Sequence, residues 1–151
     1  MSMISGERRT ALATQCLWSL QEAAIEIEGL LLTHVDGLTW TTTLQGDEST
    51  QRLAAVSTAM FLLGEEASES WGQGESKEVF LKLLMNDDVT AEAVIRFVLM
   101  RPVGYDAILV MVCRTDKLSQ RFYDLMSKAE SYLEGVLVGD DPPMPIWEDQ
   151  A

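Results

Sequence analysis

The sequence predicts an α+β domain: a five-stranded, largely antiparallel sheet with helices on its faces, in the order α-β-β-α-β-β-β-α. Three observations lead there. Segments with apolar residues at helical spacing alternate with short β-rich runs. An Asp36-Gly37 pair stands between two of those runs and is a strong hairpin signal, because both positions of the tightest turn need positive φ. Tight turns also separate the later strands, which favours antiparallel pairing.

The first helix is expected over residues 10–26, capped by Thr10, with Leu12, Cys16, Leu20, Ala23 and Ile27 as its apolar stripe and Trp18 and Ile25 on the other side. Residues 29–35 form the first strand. Residues 38–44 form the second, with Leu38, Trp40, Thr42 and Leu44 pointing one way and Thr39, Thr41 and Thr43 the other, a threonine face that suits a solvated sheet surface. After a loop over 45–49, a second helix is expected over 50–71. Leu53, Val56, Met60, Leu63 and Ala67 give it a core stripe, yet Ala54, Ala55, Thr58, Phe61 and Leu62 cluster on the opposite face. A helix that is apolar on two sides is usually sandwiched. In a chain this small the expected second layer is another copy of the protein, the alternative being burial within the monomer. The opposite face, Ala54, Ala55, Thr58 and Leu62, is then the one expected to meet it.

Gly72-Gln73-Gly74 ends the second helix. Strands follow over 77–85, 93–100 and 106–113, with a turn at 86–88. Pro102 cannot sit in mid-ladder and marks a strand end or an edge. The unbroken apolar run 106–113 reads as the central strand. The last helix is expected over 116–137, with Leu118, Phe122, Leu125, Ala129, Tyr132, Leu133 and Val136 on one face. The chain therefore divides into a flexible N-terminus (1–9), one domain (10–137) and a tail (138–151). The tail holds three of the four prolines, four acids and no basic residue, and is expected to be mobile.

At 151 residues, 47% apolar and 23% charged, the chain can bury one real core. Eleven Lys+Arg against 24 Asp+Glu leave a net charge of −13, which argues against nucleic acid and anionic membrane surfaces as partners. The longest uncharged apolar run, 107–113, is seven residues, so no membrane insertion is expected. The N-terminus lacks a signal-peptide pattern, and Cys16 and Cys113 lie in apolar segments as buried free thiols would, so a cytoplasmic protein is expected.

No catalytic constellation is visible. His34, the only histidine, lies in an expected strand, and the nucleophile-elbow, phosphate-loop and His-Glu-x-x-His motifs are absent. Two cysteines and one histidine without paired spacing do not make a zinc site, and the adjacent acids Asp87-Asp88, Asp140-Asp141 and Glu148-Asp149 lack the calcium-loop pattern. Gly72-Gln73-Gly74 follows a helix and precedes a strand, the reverse of a dinucleotide fingerprint. Neither cofactor nor metal is expected. The tail run 142–147 reads as a short docking motif anchored by Ile146 and Trp147, the alternatives being a disordered tail or one folded back on its own domain.

In order and spacing these features resemble the roadblock/dynein light chain family, within the wider profilin-like architecture. The resemblance rests on Ile27-Glu28-Gly29-Leu30-Leu31-Leu32-Thr33, the Asp36-Gly37 turn, Leu53-Ala54-Ala55, the Gly72-Gln73-Gly74 exit, Val103-Gly104 before the fifth strand, and the long final helix. It covers roughly residues 10–137; the 86–92 connection is longer than usual and the acidic tail is extra. The resemblance implies a homodimer, or a heterodimer of like domains, in which second helices pair antiparallel and third strands join one sheet across the dimer, so that the dimer core holds Ala54, Ala55, Thr58 and Leu62 together with an edge strand carrying Val79, Leu81 and Leu83. It implies a non-catalytic regulator or scaffold for a small Ras-like GTPase, as in bacterial gliding-motility regulators. The partner would sit over the paired second helices, near Arg52, Ala55, Ala59 and Phe61. Two other readings stay open: a structural adaptor subunit that never meets a GTPase, and a small-molecule sensor. The sensor needs a cavity, which Trp40, Phe80, Phe97 and Met111 argue against.

Overall fold

The computed structural model describes residues 5–72, 74, 77–86, 89, 91–114 and 117–147. Its elements are α1 (Gly6–Ala23), β1 (Ile27–His34), β2 (Thr39–Thr42), α2 (Asp47–Trp71), β3 (Val79–Asn86), β4 (Ala93–Val103), β5 (Ala107–Cys113) and α3 (Gln120–Leu137). The five strands form one antiparallel sheet in the order β2-β1-β5-β4-β3, so the expected fold class holds and the apolar run that read as central is central.

Helix α1 starts earlier than expected. Ser5, not Thr10, is its cap and accepts from the Arg8 amide at 3.2 Å. Thr10 instead lies within the helix and accepts from the Trp40 indole. The turn after β1 also differs. Among the described residues only Gly37 of the Asp36-Gly37 pair has positive φ, and the Asp36 carboxylate accepts from the Leu38 amide at 3.0 Å. Residues 35–38 thus form a wider, side-chain-closed loop rather than a two-residue turn.

The threonine face of β2 is not solvated. Thr41 and Thr43 are buried under α1, where Thr41 meets the Thr14 hydroxyl at 2.6 Å and Thr43 donates to Gln21 at 2.6 Å and accepts from the Leu30 amide. Hydroxyls with partners can be buried at little cost, which a period-two reading of polarity does not register. Gly29 beside them leaves room for the Leu44 side chain, which a Cβ there would overlap.

Pro102 lies inside β4, opposite Ile108. Pairing with β3 stops at Met100, so beyond that point β4 is a local edge and the missing N–H of Pro102 leaves no bond unmade on the open side. Helix α3 begins at Gln120, capped by Ser119; Asp116, the expected start, lies outside the described residues, as do Asp87, Asp88, Glu148 and Asp149. Its buried face is the expected one, with Met126 added.

Two cores result. The larger lies between the sheet and α1/α3 and contains Cys16, Leu17, Leu20, Leu109, Phe122 and Leu133. The smaller lies under α2 and contains Leu31, Ala54, Phe61, Val98, Ile108 and Val110.

Candidate functional site

Helix α2 is apolar on both sides, but the division between them differs from expectation: Leu53 and Met60 of the expected core stripe pack against the smaller core, whereas Val56 and Leu63 do not. Thr50, Ala54, Ser57, Thr58 and Phe61 face the sheet and are buried. Ala55, Val56, Ala59, Leu62 and Leu63 face outward and are exposed, with Val56, Leu62 and Leu63 each more than half so. Ala54, Thr58 and Phe61, expected at the dimer core or the partner platform, are instead buried against the sheet within one copy. Val56 and Leu63 leave the core and join the outward face. Helical spacing reports that a stripe exists, not which of two stripes goes in. Size was the available signal: Ala54, Ser57 and Thr58 are small and let the helix backbone approach the sheet, and the Thr58 hydroxyl is satisfied by the Ala54 carbonyl at 2.9 Å.

Of the other expected contact residues, Ala55 and Leu62 stay on the outward face. Arg52 and Ala59 do too, with Arg52 paired to Glu48 one turn earlier. In β3, Val79 and Leu81 pack against the small core, whereas Leu83 and Met85 on the same side are exposed.

Strand β3 is the more telling element. It pairs only with β4, so its outer edge is unpaired for eight residues. It carries one charge, Lys82, which lies over the Phe97 ring. On the face opposite α2, Phe80 stacks on Phe97 at 5.4 Å yet is 44% exposed, and Leu84 is 75% exposed. A long apolar edge with few charges is a template for pairing with another chain. The opposite edge, β2, is only four residues long and offers little to pair with.

The charged groups inside the fold are structural. Glu28 accepts from Arg96 at 2.7 Å and lies 3.0 Å from Arg114. Arg101 lies 2.8 Å from Glu130 and 3.9 Å from Glu78. Burial pushes the Glu130 carboxyl above its ordinary range, and the attraction of Arg101 offsets this only in part. Burial likewise pushes both the Cys16 and the Cys113 thiol up to about 12. His34 is half-buried with its ring 5.7 Å from that of Trp40. Among the described residues no three His, Cys, Asp or Glu side chains stand close enough to hold a metal ion, and no helix is long and apolar enough to cross a membrane.

A cleft of about 440 Å³ opens where the β4–β5 turn meets α2, lined by Phe61, Glu65, Pro102, Tyr105 and Glu134 among others. Trp40, Phe80, Phe97 and Met111, the residues expected to fill such space, all lie elsewhere. The tail, expected to be mobile, is folded back over its described part. Trp147 packs against the larger core and Lys128 donates to the Ile146 carbonyl at 2.8 Å, so residues 140–147 are folded back on α1 and α3, with the Ile146 side chain exposed.

No family model matches the sequence, and no curated protein does. Solved structures do. Myxococcus xanthus MglB aligns with a TM-score of 0.71 at 16% identity, over 96% of this chain and all of that one. A roadblock/LC7 domain from Streptomyces avermitilis gives 0.70 at 16% identity, over 83% of this chain and 97% of the other. The gliding protein MglB from Thermus thermophilus gives 0.69 at 12% identity, over 89% and 95%. These alignments run over nearly the whole length of each solved chain, so this chain, with its β2-β1-β5-β4-β3 sheet, has the roadblock/LC7 fold.

Proposed function

We propose that this protein is a non-catalytic, dimeric regulator or scaffold that binds a small Ras-like GTPase. One observation carries the reading: the outward apolar stripe of α2 lies on the same side of the molecule as the bare Leu83 and Met85 of an unpaired edge strand. Burying both at once needs a second layer, and a second copy related by a two-fold axis supplies it in self-complementary form. Helices α2 pair antiparallel through Val56, Leu62 and Leu63, and the two β3 edges join into one sheet. The paired helices then present Arg52, Ala55 and Ala59 as the platform for the GTPase. The likeness in fold to MglB, a gliding protein in Thermus thermophilus, supports a regulatory role.

The test is a pull-down from native cell extract, run with a non-hydrolysable GTP analogue and again with GDP. Nucleotide-dependent recovery of a Ras-like GTPase is the expected result. The same stable partners in both lanes, with no GTPase among them, would make the protein a structural adaptor instead.

A further inference from the structure

The tail offers a second surface. After α3, Gly139 turns the chain with φ +90°, and the following residues run back along the helix. Pro142 lies against Gly135, where even a Cβ would stand 3.3 Å from the ring, and the Ile146 carbonyl reaches Lys128. Seven helical residues separate Gly135 from Lys128, about 10 Å along the axis, which is close to what four residues span at a polyproline rise of ~3.1 Å each.

The chemistry of the seat is uneven for so acidic a protein. Three of the chain's eleven basic residues meet this terminus. Arg8 pairs with Asp141 at 2.9 Å, Arg9 donates to the Leu137 carbonyl at 3.3 Å, and Lys128 donates to Ile146. One of these donors, Lys128, addresses a main-chain carbonyl of the segment itself, while Arg9 closes the last carbonyl of α3 from which the segment departs. A proline-rich segment is rich in free carbonyls and poor in N–H groups, so a donor-lined groove suits it. The tail does not fill the seat. A shallow groove of about 550 Å³, open to solvent, runs between it and α3 along Lys128, Ser131 and Tyr132, and the Tyr132 hydroxyl is buried without a hydrogen-bond partner.

We propose that the α1–α3 groove is a recognition site for an acid-flanked, proline-rich peptide, held in cis by residues 140–147 and taken over by a segment of the same chemistry from a partner protein. The site lies on the face of the sheet away from α2, so it is independent of the GTPase reading. A short tether gives the cis tail a millimolar effective concentration, so an equal peptide in trans competes only in that range until the tail is loosened. Asp141 is the place to loosen it. Changing Asp141 in the chain weakens the cis contact and leaves Arg8 free to receive the aspartate of an added peptide.

The experiment uses the full chain labelled with fluorotryptophan, whose four tryptophans give four fluorine resonances, with Trp147→Phe assigning the tail. A synthetic peptide of the sequence of residues 140–147 is titrated in. The Trp147 resonance is expected to move towards that of a released tail at low millimolar peptide while the other three hold. Asp141→Ala in the chain is expected to lower the midpoint roughly two- to fivefold, the range of an exposed ion pair. A peptide with its prolines replaced by alanine is expected to fail. No displacement of Trp147 at millimolar peptide in either protein overturns the proposal, as does equal displacement by the alanine peptide. Displacement that follows protein concentration alone would make the occupant a second copy's tail and overturn the partner segment.

Discussion

On one face of the sheet, α1, α3 and the tail leave Cys16, Leu20, Leu109 and Leu133 with no solvent exposure; on the other, α2 stands alone and leaves Val56, Leu62 and Leu63 more than half exposed. Geometry accounts for the difference. Five strands at ~4.8 Å spacing are about 19 Å wide from first to last, and a helix covers about 10 Å. Two helices therefore cover such a sheet and one does not. The covered face is where the chain stabilises itself. The half-covered face is where its remaining apolar surface becomes available to something else.

That contrast can be broken by substitution. Leu133→Ala, in the covered core, is expected to cost about 2–5 kcal/mol in urea unfolding. A cost near zero would mean that this face is not the stabilising one. Ala54→Leu, where α2 approaches the sheet, is expected to cost about 1–3 kcal/mol by overpacking. If it is neutral, α2 does not sit down on this side. Leu62→Arg, one helical side away, is expected to leave the fold of a dilute sample within about 0.5 kcal/mol. It is also expected to turn a dimer into a monomer in sedimentation velocity. A variant that stays dimeric places the interface elsewhere.

The smallest effect is expected at Glu130 on the covered face. Its carboxyl is raised when folded, so the folded chain holds that proton more tightly than the unfolded chain does. Its contribution is most favourable at low pH and falls as pH rises from the ordinary value of 4.5 through the raised one. The difference in urea midpoint between the native protein and Glu130→Gln should therefore be more favourable to the native protein at pH 4 than at pH 7. A difference that grows in the native protein's favour as pH rises would mean that Arg101 outweighs burial.

The same contrast separates what could be read in the residues from what could not. Strand order along the chain, the central position of 107–113 and the inner face of α3 were legible, because each has one apolar side or none that is polar. The orientation of α2 was not: two apolar stripes satisfy the same period, and small residues chose between them through close approach to the sheet. The burial of Thr41 and Thr43 depended on partners in α1, far away in sequence. A tail of prolines and acids has the composition of a free segment, and its seat exists only once Arg8 and Lys128 are brought to one place by folding. Of the residues expected at an interface on α2 and β3, Arg52, Ala55, Ala59, Leu62 and Leu83, whose side chains had nowhere to go within the monomer, stay available.

The two cysteines have a practical consequence of their own. Cys16 sits in α1 and Cys113 closes the central strand, both walled into the covered core with thiols pushed up to about 12. At neutral pH neither sulfur is a thiolate nor in reach of a reagent while the sheet keeps its helices. An alkylating agent in excess therefore reads the moment when α1 lifts away, and its labelling rate is a stopwatch for the opening of the molecule.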